Sequence, residues 1–204
     1  VHAGNGNLTP LLMAGRHVVT TDPGADAVNR LRERFGDYDT VDVVQWQGVE
    51  AIPWRPVDGG APPDTVLLAN VLGQAEDPAS LIRGAVASLG PGGGRVVVVA
   101  PAWPGLMGPL DAQVGHLRRF SPRELSALLE ACGLKTVHKG WFNLIGLPGW
   151  AMGRAANLDR VPPVPLGLYS LLSRVAMPAE RAVGGAPIGL SAVIVGETSG
   201  HVRP

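Results

Sequence analysis

The chain is nearly without cysteine, short of charge and lacking any long apolar run, and each shortage removes a class of protein. Cys132 is the sole cysteine in 204 residues, which excludes an intramolecular disulfide and a cysteine-rich metal site. It stands in Leu128-Leu-Glu-Ala-Cys-Gly133, the apolar end of a helical pattern, where a buried, inert thiol is expected. No His/Cys/Asp cluster has metal-ligand spacing, so no metal is expected. Hydrophobic residues reach 46%, yet no run of about eighteen apolar residues occurs, so no spanning helix is expected. Seventeen basic and seventeen acidic residues cancel, leaving no basic stripe for a phosphate backbone, and nucleic acid is not an expected partner. Charged residues are 17% of the chain, against about 25% in an average domain. Val1 is followed at once by a polar glycine turn, so no signal peptide is read there and a cytoplasmic location is expected.

What the chain has in excess is glycine and proline, 28 and 19 residues, concentrated in loops and in the last third. The length suits one α/β domain with a full core. Strand and helix signals alternate as a doubly wound fold requires. Strands are expected near residues 17–21, 41–46, 65–69, 95–100, 137–142 and 188–195. Helices are expected over Asn7 to Gly15, over Ala25 to Phe35, after the Asp77-Pro78 cap, and from the Ser121-Pro-Arg-Glu124 capping box to Ala131. Residues 53–63 are too rich in proline for regular structure. Residues 144–185 break the alternation; two short helices, about 148–157 and 166–182, are expected there as a lid or extra layer over the sheet edge. That division gives a core over 1–143, a helical insertion over 144–185 and a final strand within 186–196.

The first 22 residues carry the sharpest signal. Val1-His-Ala-Gly-Asn-Gly6 reads as a strand end and a glycine turn, and the next strand closes on Asp22. Glycine serves where backbone turns tightly or passes close to a ligand, and an acid at the next strand tip can accept from the two hydroxyls of a ribose. Only about three residues of the first strand are present, where five or six are usual, and the natural N-terminus is expected upstream of Val1.

After the turn come Asp64-Thr-Val-Leu-Leu-Ala-Asn-Val-Leu72 and Leu89-Gly-Pro-Gly-Gly-Gly-Arg95, then the run from Pro101 to Phe120 with Asp111, Gly115-His116 and Arg118-Arg119-Phe120. With Asn143 to Trp150 and Pro187 to Val195, this order resembles the class I S-adenosylmethionine-dependent methyltransferases, and within them a bacterial type 11/12-like subgroup acting on small molecules, lipids or glycan precursors. The resemblance implies a Rossmann-like seven-stranded sheet whose last strand is antiparallel and whose first is truncated here. It implies S-adenosylmethionine as cofactor, with Ala3, Gly4 and Gly6 behind the methionine part, Asp22 on the ribose, and Asn70 and Val71 beside the sulfonium. Three positions depart from the family pattern. His2 replaces the first turn glycine. Gly48 replaces the acid that usually holds the adenine amino group, with Glu50 two places on. Gly73-Gln74 replaces the usual Glu-His.

Methyl transfer needs alignment of donor and acceptor more than a catalytic group, and a hydroxyl acceptor adds the need for a base. His116 is the candidate base; the alternative is a polar loop residue pinned to backbone. Arg118 and Arg119 could clamp a substrate carboxylate or phosphate, or cap the next helix and pair with Asp111 or Glu124. His17, His138 and His201 have no partner at useful spacing. Beside the enzyme stands a second reading, a non-catalytic methyltransferase-like module serving a partner interaction. A nicotinamide oxidoreductase fits less well, because Thr9 stands where a third glycine should open the helix.

Overall fold

The computed structural model of the chain describes residues 1–48, 50–53, 62–158 and 187–198. Strands and helices alternate: α1 (Thr9–Leu12), β1 (Val18–Asp22), α2 (Ala25–Phe35), β2 (Val41–Gln45), β3 (Thr65–Ala69), α3 (Pro78–Ala87), β4 (Arg95–Pro101), α4 (Pro109–Gln113), α5 (Pro122–Ala131), β5 (Leu134–Phe142), α6 (Gly146–Ala155) and β6 (Ser191–Thr198). A 3-10 turn, Pro104–Leu106, precedes α4. No helix among the described residues is long and apolar enough to cross a membrane.

Local chemistry places the helices. Asp77 caps α3 by accepting from the backbone N–H groups of Ala79 and Ser80, with Pro78 at the first position. The Ser121 hydroxyl accepts from Glu124 N–H, and the Glu124 carboxylate accepts from Ser121 N–H. That reciprocal box opens α5 where the sequence expects it. On α2, Ala27, Val28, Leu31 and Phe35 form one buried face.

The strands lie in a parallel pair, β1–β2, and a four-stranded sheet of order β3-β4-β6-β5. β3 and β4 are parallel, and β6 runs antiparallel to both β4 and β5. The expected antiparallel last strand is therefore present. The seven-stranded count is not, since six strands in two sheets are described. Val1 to Ala3 are not a strand but lie between the sheets: the Val1 amine donates to Leu67 O of β3 at 3.0 Å, and Ala3 N–H donates to Thr21 O of β1 at 2.8 Å.

Several boundaries differ from expectation. α1 has four residues rather than spanning Asn7 to Gly15. β5 starts at Leu134 and bulges between Thr136 and His138, three residues ahead of its expected start. β6 is displaced by as much toward the C-terminus. The first lid helix is α6, close to its expected place, whereas the second, 166–182, falls outside the described residues, as does most of the 53–63 loop.

The main core packs Leu68, Leu72, Ile82, Val96, Val98, Leu125, Leu129 and Ile194 between α3, α5 and the four-stranded sheet. A smaller cluster of Leu31, Phe35 and Val41 holds α2 to the β1–β2 pair. Among the described residues β1 and β3 each have a strand neighbour on one edge only. Unpaired strand edges and a separate small core set a low local opening energy. Amides of β1 and β2 are therefore expected to exchange faster than those of β4 and β6 in hydrogen–deuterium exchange. Equal protection would show that the sheets open as one unit.

Candidate functional site

The C-terminal ends of β1, β3 and β4 share one edge of the molecule, and the candidate residues gather there in two groups. In the first, the chain turns through Gly4 (φ 55°) and Gly6 (φ 71°) into α1. A Cβ on Gly6 would meet Phe35 Cε2 at 2.5 Å, so α2 packs directly under the turn and glycine is required there. Asp22, only 9% exposed, accepts from Gly4 N–H at 2.9 Å with one carboxylate oxygen and from Gly24 N–H at 3.0 Å with the other. Each oxygen retains a second lone pair, leaving two acceptors side by side. Ala3 N–H is spent on Thr21 O, and Ala3 O accepts from Gly6 N–H. Across the edge, Asn70 takes a left-handed conformation (φ 60°) after β3 and donates its N–H to Val99 O, while Val71 is buried.

The three departures each have a structural counterpart. His2, also at positive φ, stands edge-on to Trp46 with ring centroids 6.5 Å apart, and its buried Nε2 has no partner among the described residues. Burial lowers its pKa, and the nearby Asp22 charge offsets this only in part. Gly48 has no room for an acid, because a Cβ would run into Leu81 and lie 3.9 Å from His2 Nε2. Glu50 is exposed, and its carbonyl is bound by the Trp46 indole N–H. Gly73 O accepts from Leu117 and Arg118 N–H, and Gln74 Nε2 donates to Val114 O. Gly73-Gln74 thus latches the loop that carries His116.

The second group is built on Asp111, whose side chain is wholly buried. One carboxylate oxygen accepts from Arg119 Nε at 2.8 Å and meets His116 Nδ1 at 2.9 Å. The other accepts from Gly108 N–H at 3.0 Å and, at a longer 3.4 Å, from the Trp150 indole of α6. Burial alone would raise the Asp111 pKa, but the hydrogen bonds from Arg119 and His116 outweigh it and hold the carboxyl below its usual range. An ionised carboxylate only accepts, so His116 Nδ1 carries a proton and a neutral ring has its lone pair on Nε2. Nε2 makes no hydrogen bond among the described residues.

The His116 ring is therefore pinned by a carboxylate, and its main-chain N–H by a backbone carbonyl. Arg119 is committed to Asp111, to Ala102 O at 2.8 Å and to the face of Trp150 at 4.7 Å. Its pairing with Asp111 follows the second of the two expectations. Arg118 is freer: it donates to Glu76 O at 3.0 Å, and its buried Nε has no partner among the described residues. Beside this group, Trp103 stacks on Trp141 at 4.9 Å and 10° while donating to Gly189 O. Sequence reasoning missed Asp111 as a hub and Trp150 as its neighbour; the signal was the Asp111-x4-His116-x2-Arg119 spacing. It also left His17 without a partner, whereas His17 Nε2 lies 2.8 Å from Asp42 across the β1–β2 pair. Cys132 Sγ lies against Ala79 O, and burial raises its pKa, in keeping with an inert thiol. Among the described residues no group could hold a metal ion.

Removing one partner of a buried ion pair strands the other charge. Asp111→Ala is expected to cost about 3–5 kcal/mol in urea unfolding. Because the folded pKa of Asp111 lies below its ordinary value, its contribution is complete above the ordinary carboxylate range and is lost as pH falls through the lowered value. The gap between wild type and Asp111→Ala should accordingly narrow on acidification; a gap constant with pH would remove the ionised carboxylate from the account.

The family described as Methyltransferase domain matches residues 3–139. No curated protein matches by sequence. Solved structures share the fold at low identity. One belongs to the Haloferax volcanii complex of the Trm112 methyltransferase activator with its methyltransferase, at 16% identity and TM-score 0.63, covering 100% of this chain and 82% of that one. Another is the glycopeptide N-methyltransferase MtfA complexed with S-adenosyl-L-methionine, at 15% identity and TM-score 0.58, covering 98% and 80%. A third is the [4+2]-cyclase SpnF, at 17% identity and TM-score 0.57, covering 96% and 72%.

Proposed function

The chain belongs to the methyltransferase-domain family, and on that premise we propose that it is a cytoplasmic S-adenosylmethionine-dependent methyltransferase acting on a small-molecule, lipid or glycan-precursor acceptor. The observation that carries this reading is Asp22: two carboxylate oxygens, each anchored by one backbone N–H and each with an acceptor site left, fit the paired donors of a ribose. Ala3, Gly4 and Gly6 hold the turn against the methionine part, and Asn70 and Val71 border the reacting end. The same reading makes Val1 to Ala3 the end of a seventh, central strand, supported by their bonds to β3 and β1.

The cofactor supplies an already activated methyl group, so the protein's task is alignment and, for a hydroxyl acceptor, proton removal. For a hydroxyl acceptor, His116 Nε2 would take the proton that the oxygen gives up on receiving the methyl group. Arg118, with a donor to spare, contacts a carboxylate or phosphate of the acceptor, and Arg119 braces that contact from behind.

A second reading, a non-catalytic module serving a partner, is favoured by the unpartnered His2 imidazole and the acid-free Gly48. Calorimetric titration with S-adenosylhomocysteine separates the two. Wild type should bind, and Asp22→Ala should weaken binding at least roughly tenfold, since hydrogen bonds to a charged acceptor contribute about 1.5–3 kcal/mol. An unchanged dissociation constant would reduce Asp22 to a strand-end acid, and no binding by folded wild type would favour the module. If His2 crowds the cofactor, His2→Gly should tighten binding; flat or weaker binding would mark an enzyme adapted to the imidazole.

A further inference from the structure

We propose that Asp111 is a positioning residue for methyl transfer, one that fixes the tautomer and aim of His116; this rests on the reading of His116 as the base. The carboxylate is wholly enclosed and has donors on all sides: Arg119 Nε, Gly108 N–H, the Trp150 indole and His116 Nδ1. Three of these groups can only donate. His116 alone could present either a proton or a lone pair at Nδ1, and the acceptor-only carboxylate selects the proton. The lone pair is thereby placed on Nε2, away from the hub.

Arg119 gives the arrangement its second property. Its side chain is 1% exposed and the Asp111 side chain 0%, so the negative charge that orients His116 already has a permanent, equally buried counter-charge. Asp111 thus orients the ring while its own charge is already balanced by Arg119, and Nε2 is left to take a proton from the acceptor. The backbone supports the same geometry, because His116 N–H donates to Asp111 O at 2.8 Å. Side chain and main chain of His116 are both tied to one residue, while the following N–H groups of Leu117 and Arg118 are tied to Gly73 O. The ring is held at the junction between the loop after β3 and the loop after β4.

The test needs no acceptor and no cofactor. Nitrogen-15 NMR of the folded wild-type chain, at a pH where the ring is neutral, should show His116 as the Nδ1–H tautomer; an Nε2–H ring would overturn the proposal. The second arm is the rate at which diethyl pyrocarbonate, which acylates an imidazole lone pair, labels His116, read by mass spectrometry. Asp111→Ser should lower that rate by roughly tenfold, the loss expected when a hydrogen bond to a charged acceptor no longer holds the tautomer. A merely structural Asp111 gives the opposite result, since a loosened site exposes the ring and labels it as fast or faster. If Asp111→Ser does not fold, the wild-type tautomer decides alone. Methyl transfer to a hydroxyl that persists in His116→Gln would end the base reading without altering either arm.

Discussion

The segments around His116 hang on β6, which is hydrogen-bonded along both edges, to β4 on one side and β5 on the other. A strand running against its neighbours delivers its start, rather than its end, to the edge where the parallel strands finish. Residues 189 and 190 arrive there and are used at once: Leu190 O accepts from Ala102 N–H, Leu190 N–H donates to Asn143 O, and Gly189 O accepts the Trp103 indole. The segments leaving β4 and β5 are thereby held in place. They carry the 3-10 turn, α4, the His116 loop and α6, and the contacts of Asp111 and Arg119 with Trp150 of α6 add to that hold.

The half that carries the Gly4–Gly6 turn rests on fewer described constraints. The turn from Gly4 to Gly6 is supported by α2 from below and by Asp22 from the side. Two of the four buried polar groups without partners among the described residues lie near it, His2 Nε2 and Thr21 Oγ1. Unsatisfied buried groups cost about 1–3 kcal/mol each, and they mark places where a further hydrogen-bonding partner fits.

How much of this was legible in the sequence depended on whether the decisive contacts were local. α2 and β3 fall where the sequence put them, the first from its 3.6-residue apolar spacing and the second from an unbroken apolar run. The Ser121–Glu124 box and the Asp77 cap were legible because the bonds that make them span two or three residues. The start of β5 was set three residues late because its pattern is mostly exposed and its register is set by β6, some fifty residues downstream. α1 was overestimated because Pro10 sits in its first turn and the chain leaves the helix at Met13 for a turn in which Arg16 N–H bonds Met13 O. In the site, the resemblance pointed to Asp22 and His116, but only coordinates separate Arg118 from Arg119, adjacent in sequence, of which Arg119 alone is bound to Asp111. Gly73-Gln74, read as a loss, proves to be a latch for the His116 loop, a role visible only when Val114 and Leu117 are seen against it.

The Trp103–Trp141 pair has an optical consequence. Two indoles stacked at 4.9 Å and 10° lie close enough for their transition dipoles to couple, giving a paired circular-dichroism signal that isolated tryptophans lack. The two rings straddle the first residues of β6, one from the end of β4 and one from the end of β5. The chain thus contains its own unlabelled gauge of whether those strand ends stay in register.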